Sequence, residues 1–322
     1  MKTAIAALVF ALVVSWAATP WVIRLATSCG VLDQPDPRRR VHERPTPRWG
    51  GIAIWLGVVV GLGLAAAGDY LIAGNFFLTH QLLIVLGGAT VIAAAGLADD
   101  KYDLSALWQF AILVAVSLVV ALLGVRINYV TNPFGESLLW LHQASIPVTV
   151  GWLFFVTKTI DLADGLDGLA AGVCAISSAA LAVLGLLLNT HSVAVVCAAV
   201  TGASLGFLRY NYPPAKIFMG TIGAQFMGFM LAGAAVIGPF KVAATFAVVV
   251  PILALGIPMF DAVFAFARRA ASGKPVYVAD RGHLHHRLLD AGLTVNQVIL
   301  VIYAATLVLS VGALLLALAL KG

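Results

Sequence analysis

Three aspartates recur at intervals of three in the run Lys158-Thr159-Ile160-Asp161-Leu162-Ala163-Asp164-Gly165-Leu166-Asp167-Gly168. On a helix this spacing places them at neighbouring positions of one face. A helix cap needs one Asp. Three carboxylates at the mouth of an apolar segment are costly unless a cation joins them. Gly165 and Gly168 allow a turn or a close approach of backbone to a ligand. A second acidic group, Asp99-Asp100-Lys101-Tyr102-Asp103, closes another apolar stretch. A helix C-terminus is partially negative, so each acid there is disfavoured by about 0.3–1 kcal/mol. Lys101 could neutralise a solvated helix end, whereas Mg²⁺ or a bound phosphate group would make the placement tolerable. The chemistry these residues suit is metal-assisted work on phosphates.

Three further clusters extend that reading. The loop Arg209-Tyr210-Asn211-Tyr212-Pro213-Pro214-Ala215-Lys216-Ile217-Phe218-Met219-Gly220-Thr221 is stiffened by prolines and leads into a helix N-terminus, a place where anions bind. Phe218 could stack on a base. The run Asp280-Arg281-Gly282-His283-Leu284-His285-His286-Arg287 has histidine spacing that could hold a transition metal. The carboxylate-rich remainder favours Mg²⁺, which leaves these histidines and arginines to serve phosphate. The third is the run from Asp33 to Gly51, which holds Arg38, His42 and Arg44. With Arg24, six arginines in this region favour anionic lipid head groups, and interleaved prolines suggest a fixed loop. Asp261, late in an apolar segment, is either functional or a partner of Arg268.

The rest of the chain must position these clusters, and it is built for a bilayer. Of 322 residues, 61% are hydrophobic and only 10% charged, and the mean hydropathy is +1.01. A soluble surface needs about 25% charged residues. The apolar blocks exceed the ~10 residues of a membrane β-strand. The fold class expected is therefore an all-α polytopic membrane protein. Ten spans are read at about 3–25, 49–67, 80–98, 106–124, 146–160, 169–188, 192–208, 221–237, 242–266 and 297–319. They form a single membrane-embedded domain over 1–322. The first apolar stretch, 3–23, is too long for a signal-peptide core and suits a retained helix. Cys29, Cys174 and Cys197 are far apart and read as packing residues.

All 19 basic residues except Lys2, Arg126, Lys241 and Lys321 fall in alternate loops. By the positive-inside rule those loops are cytoplasmic and both termini lie outside. All 14 acids except Asp69 and Glu136 lie on that same side. Acids contribute little to orientation, so their gathering there needs a chemical reason: an active-site cleft facing the cytoplasm.

Taken together, DPDPRRRVHERPTPRWGG, GLADDKYDLS, DLADGLDGLAAG, NYPPAKIFMG and DRGHLHHRLL resemble, in order and over nearly the whole chain, the polyprenyl-phosphate N-acetylhexosamine-1-phosphate transferases. This family, glycosyltransferase family 4, also holds the phospho-N-acetylmuramoyl-pentapeptide transferase. The resemblance implies a ten- or eleven-helix bundle in the bacterial cytoplasmic membrane. It implies transfer of a sugar 1-phosphate, with GlcNAc the commonest choice, from a UDP-N-acetylhexosamine to polyprenyl phosphate. UMP is released, and the product starts a cell-envelope polysaccharide. Mg²⁺ is the implied cofactor, with Mn²⁺ as a substitute; membrane lipid is a partner, nucleic acid is not, and a homodimer is left open.

By motif, Asp99, Asp100, Asp164, Asp167 and His283 are carried over as catalytic, and Asn211, Phe218, His285 and His286 as substrate-binding. Asp100, Asp161 and Asp164 are expected as metal ligands, and Arg38, His42, Arg44, Lys158, Arg281 and Arg287 are also expected to bind substrate. The chain departs from the pattern at two places. Lys158 and Asp161 stand where the family has asparagines, and Thr221 stands where it has a metal-binding Asp. A swap is expected: Asp161 gains a carboxylate as position 221 loses one, so the site's charge total is kept. Lys158 would hold the pyrophosphate. Direct attack by the lipid phosphate is preferred over a covalent aspartyl-phosphate. Three other readings compete. A CDP-alcohol phosphotransferase fails at Gly168-Leu169, where its motif needs Ala-Arg. A transporter would hold its acids at mid-depth. An inactive homologue is the third.

Overall fold

The computed structural model describes residues 1–34, 45–74, 77–131, 138–238, 255–271 and 284–319. Its helices are α1 (Lys2–Ser28), α2 (Gly51–Ala73), α3 (His80–Tyr102), α4 (Ala106–Leu122) and α5 (Ser145–Ala163). They continue as α6 (Leu169–Leu187), α7 (His191–Asn211), α8 (Gly220–Ile237), α9 (Gly256–Ala271), α10 (Leu284–Asp290) and α11 (Val295–Ala319). Two small antiparallel ladders join them: β1 (Leu32–Asp33) with β2 (Thr46–Pro47), and β3 (Tyr129–Thr131) with β4 (Leu138–Trp140). The chain is a nearly all-helical multi-pass membrane protein: eight of its described helices are long and apolar enough to cross a bilayer.

The expected spans map onto α1–α8 and α11, with α4 the shortest at 17 residues. The expected ninth, 242–266, lies partly outside the described residues; the rest falls in α9. Two ends move. α3 runs on to Tyr102 and α5 to Ala163, so Asp99, Asp100 and Asp161 sit on helices and not in loops. A helical backbone satisfies its own hydrogen bonds, so a polar side chain does not stop it at the membrane edge.

α6, α7 and α8 are the buried centre, with 72%, 78% and 78% of their spanning windows inside the protein. α1 and α11 are flanking helices that show large apolar side chains such as Trp16, Trp21 and Leu315 on the outside. Between helices in lipid there is no hydrophobic drive, and close approach depends on small residues. Gly57 and Gly61 on α2 face Ala11 on α1, and Gly202 and Gly206 on α7 face the α1 backbone. Ser178 and Thr201 share a hydrogen bond of 2.8 Å between α6 and α7. Gly96 does the same for α3 against α8: a Cβ there would lie 2.6 Å from the Ile222 Cα. That approach brings the next turn of α3, with Asp100, onto the start of α8.

The two ends of α1 mark the two ends of the bundle. Thr3 donates to Asp69 of α2 at 3.2 Å, while Val31, just past the other end, accepts the Arg48 N–H at 3.3 Å. A side chain on Gly202 would run into the Leu8 carbonyl oxygen. Overpacking of this kind costs about 1–3 kcal/mol. Gly202→Val is therefore expected to lower the melting temperature of the detergent-purified protein, read by intrinsic fluorescence; an unchanged melting curve would count against the tight α1–α7 seam.

Candidate active site

Asp100 reaches across from α3 to α8. Its carboxylate accepts the Thr221 N–H at 2.9 Å and the Ile222 N–H at 3.4 Å. The first N–H groups of a helix have no partner of their own and carry partial positive charge. An acid at the unfavourable end of one helix is thus held by the favourable end of another. Gly220 makes this fit. It has φ +71°, and a side chain there would strike the Asp100 carboxylate and the Arg48 carbonyl.

The 45–51 segment is laced onto the same place. Phe218 N–H donates to the Pro47 carbonyl at 2.8 Å, Gly50 N–H to the Phe218 carbonyl at 2.9 Å, and Gly51 N–H to the Met219 carbonyl at 2.8 Å. Arg48 pairs with Asp33. Phe218 is partly buried, and its backbone is what fastens the loop.

A second acid line runs through side chains. Asp99 is 9% exposed and accepts from Gln109 Nε2 of α4 at 2.8 Å. The other end of that amide, Oε1, accepts from Lys158 Nζ at 2.8 Å. Lys158 also pairs with Asp161 at 2.7 Å, and the same Asp161 oxygen accepts from Gln225 Nε2 of α8 at 3.2 Å. Four helices meet in this chain of contacts.

α5 ends at Ala163, and the chain turns through Asp164–Gly168 into α6. Gly168, at φ +75°, donates its N–H to Asn211 Oδ1 at 3.0 Å. Asn211 Nδ2 donates to the Ile217 carbonyl at 2.9 Å. Asp167 accepts the Ala215 N–H at 2.9 Å, and the Tyr303 hydroxyl of α11 donates to the Gly168 carbonyl at 2.6 Å. The turn is tied to the 211–217 loop on one side and to α11 on the other.

Asp164 differs from its neighbours. Among the described residues its carboxylate makes no hydrogen bond and no ion pair. Burial, followed by the charges of Asp161, Asp100 and Asp167, pushes its carboxyl up to about 8. The acids of α3 and of the 161–167 segment therefore share one electrostatic site. No three His, Cys, Asp or Glu side chains among the described residues close on an ion by themselves. Mg²⁺ commonly takes only one or two carboxylates and fills its shell with water and substrate phosphate. An unpartnered carboxyl whose charge is opposed by three others is the donor such an ion would satisfy, so the residues fit the metal.

His285 is buried and lies against Gly165, where a Cβ would come within 2.6 Å of its Nε2. Its ring centroid is 4.3 Å from that of His286. Asp261 of α9 accepts the Leu284 N–H at 2.7 Å and so fixes the start of this histidine segment. Arg287 is exposed on α10.

The structure thus brings together Asp99, Asp100, Lys158, Asp161, Asp164, Asp167, Asn211, Phe218 and His285. Arg38, His42, Arg44, Arg281 and His283 lie outside the described residues. Two expectations are revised. Asn211, expected on substrate, is buried, and both ends of its amide are engaged by backbone, which makes it a positioning residue. The exchange at positions 158, 161 and 221 keeps the number of carboxylates but not the charge. Lys158 comes with Asp161 and neutralises it, leaving the set one unit less negative than two asparagines and an aspartate. Gln109, Gln225 and Tyr303 were missed. A glutamine inside an apolar span was the available signal, since it must find a partner within the bundle.

A model of glycosyl transferase family 4 matches residues 82–239. A probable undecaprenyl-phosphate N-acetylglucosaminyl 1-phosphate transferase of Bacillus subtilis is 37% identical over 92% of this chain and 80% of its own length. This chain belongs to glycosyl transferase family 4. The decaprenyl-phosphate N-acetylglucosaminephosphotransferase of Mycobacterium tuberculosis is 35% identical over 94% of the chain and 80% of its own. An undecaprenyl-phosphate alpha-N-acetylglucosaminyl 1-phosphate transferase of Escherichia coli is 27% identical over 90% and 78%. The stretch matched by the family 4 model spans α3 to α8, and so contains every acid of the site; Arg48, Tyr303 and the histidines lie beyond it.

The Asp164 carboxyl gives this family 4 site a pH signature. Unfolded, it titrates near 3.8; folded, near about 8. Between these values the folded chain binds more protons than the unfolded one, so stability falls as pH rises, and the loss is complete above about 8. The metal-free protein should melt at progressively lower temperature from about pH 5 to about pH 8, and Asp164→Asn should flatten that slope. Equal slopes in the two proteins would contradict the assignment.

Proposed function

We propose that the protein transfers N-acetylglucosamine 1-phosphate from its UDP-sugar to a polyprenyl phosphate, releasing UMP. The reading is carried by one observation: aspartates from α3 and from the α5–α6 turn share a site at one end of an apolar bundle, with Asp164 left unneutralised. The relatives named above support it, since each is named for a polyprenyl-phosphate N-acetylglucosamine phosphotransfer. The distribution of Lys and Arg supports a site at the cytoplasmic face of a bacterial inner membrane, with both termini outside. A mid-membrane transport site has less support, because the acids gather at one end.

Phosphoryl transfer asks for positioning and for neutralised charge. A phosphate monoester has a second pKa of about 6, so the lipid phosphate is mostly dianionic at neutral pH and needs little help from a base. One of its oxygens bonds to the β-phosphorus of the UDP-sugar. The bond from that phosphorus to the bridging oxygen breaks, and UMP carries the oxygen away. Mg²⁺, when bound, supplies positive charge to the diphosphate, and Asp100 and Asp164 would hold it. Asp99, fixed by Gln109, is placed to orient the lipid phosphate or to take its residual proton. His285, beside Gly165, faces the same turn and is suited to a phosphate oxygen. Phe218 and Asp167 flank the loop where a uracil would rest.

The test is UMP release from a panel of UDP-N-acetylhexosamines by membranes supplied with a short-chain polyprenyl phosphate and Mg²⁺. UDP-GlcNAc is expected to be the best donor. Asp100→Asn and Asp164→Asn should each lower the rate by about 10²–10³-fold or more, with the proteins still inserted in the membrane. No UMP from any donor would refute the activity, and a phospho-enzyme trapped from UDP-sugar alone would replace direct attack with a two-step route.

A further inference from the structure

We propose that Lys158 is a built-in cation for the substrate diphosphate, and that Asp161 serves as its counter-ion and not as a ligand of the divalent metal. This rests on the transfer reading given above and divides its charges differently from a site where every Asp holds metal.

The geometry carries it. Lys158 has three N–H donors. Among the described residues one goes to Asp161 at 2.7 Å and one to Gln109 at 2.8 Å. The third has no acceptor among the described residues, and the side chain is 24% exposed, which leaves that donor for a ligand. Asp161 spends one oxygen on both Lys158 and Gln225. Asp164 has no such partner. Asp164, at the start of the turn, has no side-chain partner among the described residues, whereas Asp161, on the last turn of α5, is bound to a lysine through one oxygen.

The clamp fixes the direction of the ammonium. Gln109 faces Asp99 with its donor end and Lys158 with its acceptor end. That polarity leaves the amide one orientation: turned over, its N–H₂ would meet the ammonium and its oxygen the carboxylate. A lysine held at two of its three corners presents the third without further loss of side-chain entropy. The ligand class is a phosphoryl oxygen. In this arrangement Gln109 and Gln225 are positioning residues: Gln225 acts through Asp161, and Gln109 through both Lys158 and Asp99.

The deciding variant is Lys158→Met/Asp161→Asn, which removes the pair without changing net charge. Mn²⁺ binding by the detergent-purified full chain is measured by electron paramagnetic resonance, and UMP release is measured in parallel. If Asp161 is a counter-ion, Mn²⁺ affinity stays within about threefold, since the local charge sum is unchanged. UMP release falls about 10²-fold, the usual cost of one fixed donor to developing charge. Lys158→Met alone should be as slow as the double variant, because the two residues act as one unit.

Gln109→Met serves as a second variant that leaves both charges in place. It should lower the rate about tenfold at unchanged Mn²⁺ affinity, roughly the worth of a charge-assisted hydrogen bond. A loss of Mn²⁺ affinity of about tenfold or more in the double variant would make Asp161 a metal ligand and overturn the proposal. So would an unchanged rate in Lys158→Met. A wild-type protein that releases no UMP would sink the transfer reading instead, and the Mn²⁺ titration would then settle the place of Asp161 by itself.

Discussion

Two like charges about 4 Å apart repel by about 4 kcal/mol at an effective dielectric of 20, and by more where water is scarce. The family 4 site is built around that repulsion. Asp164 lies in the field of Asp161, Asp100 and Asp167, at the end of a bundle with few charges elsewhere. Each acid but one is given its own relief. Asp100 takes two N–H groups at the start of α8, Asp99 takes an amide of α4, Asp161 takes a lysine, and Asp167 takes the Ala215 N–H. Asp164 is left over. A fold that relieved all five acids would avoid that repulsion altogether. On the proposed reading, that unrelieved carboxyl is the part of the arrangement left for a ligand.

The packing follows from the need to bring those reliefs into place. Asp100 can reach α8 only because Gly96 lets the two helices close up and Gly220 keeps the space before Thr221 empty. The Asp164 turn holds its shape only because Asn211 and Tyr303 fix Gly168 from opposite sides. Neither Asn211 nor Tyr303 carries charge, and neither needs to touch substrate. They convert loops, which would otherwise sample many conformations, into a rim with one conformation, and so lower the entropy lost when a substrate is held.

The spans were legible in the sequence because hydropathy over some twenty residues is a local property. The acid clusters were legible for a related reason: a carboxylate beside an apolar run is unusual enough to need a cause. What could not be read was which backbone or amide each acid would meet. The pairing of Asp100 with Thr221 spans 121 positions and that of Tyr303 with Gly168 spans 135. Nothing in either local sequence announces the other. The contacts of Asn211 were hidden for the same reason. A loop asparagine between charged motifs suits a ligand, and only the packed structure shows both ends of its amide turned inward.

The substitution pattern at 158, 161 and 221 becomes intelligible at the same level. Thr221 meets Asp100 through its backbone N–H, so that contact survives whatever side chain stands there, and a carboxylate can be lost from position 221 without unfastening α3 from α8. An Asp at 161 without Lys158 would add an unpaired charge to the field around Asp164. Lys158 pairs with that charge, although Asp161 still contributes to the field around Asp164. The two changes at 158 and 161 are therefore coupled by electrostatics, and Gln109 and Gln225 supply the hydrogen bonds that hold the new pair in a fixed place. The consequence is a site one unit less negative than the pattern it departs from, with positive charge built permanently into the protein. On the proposed reading, such a site would ask less of a divalent ion and more of the lysine that stands beside it.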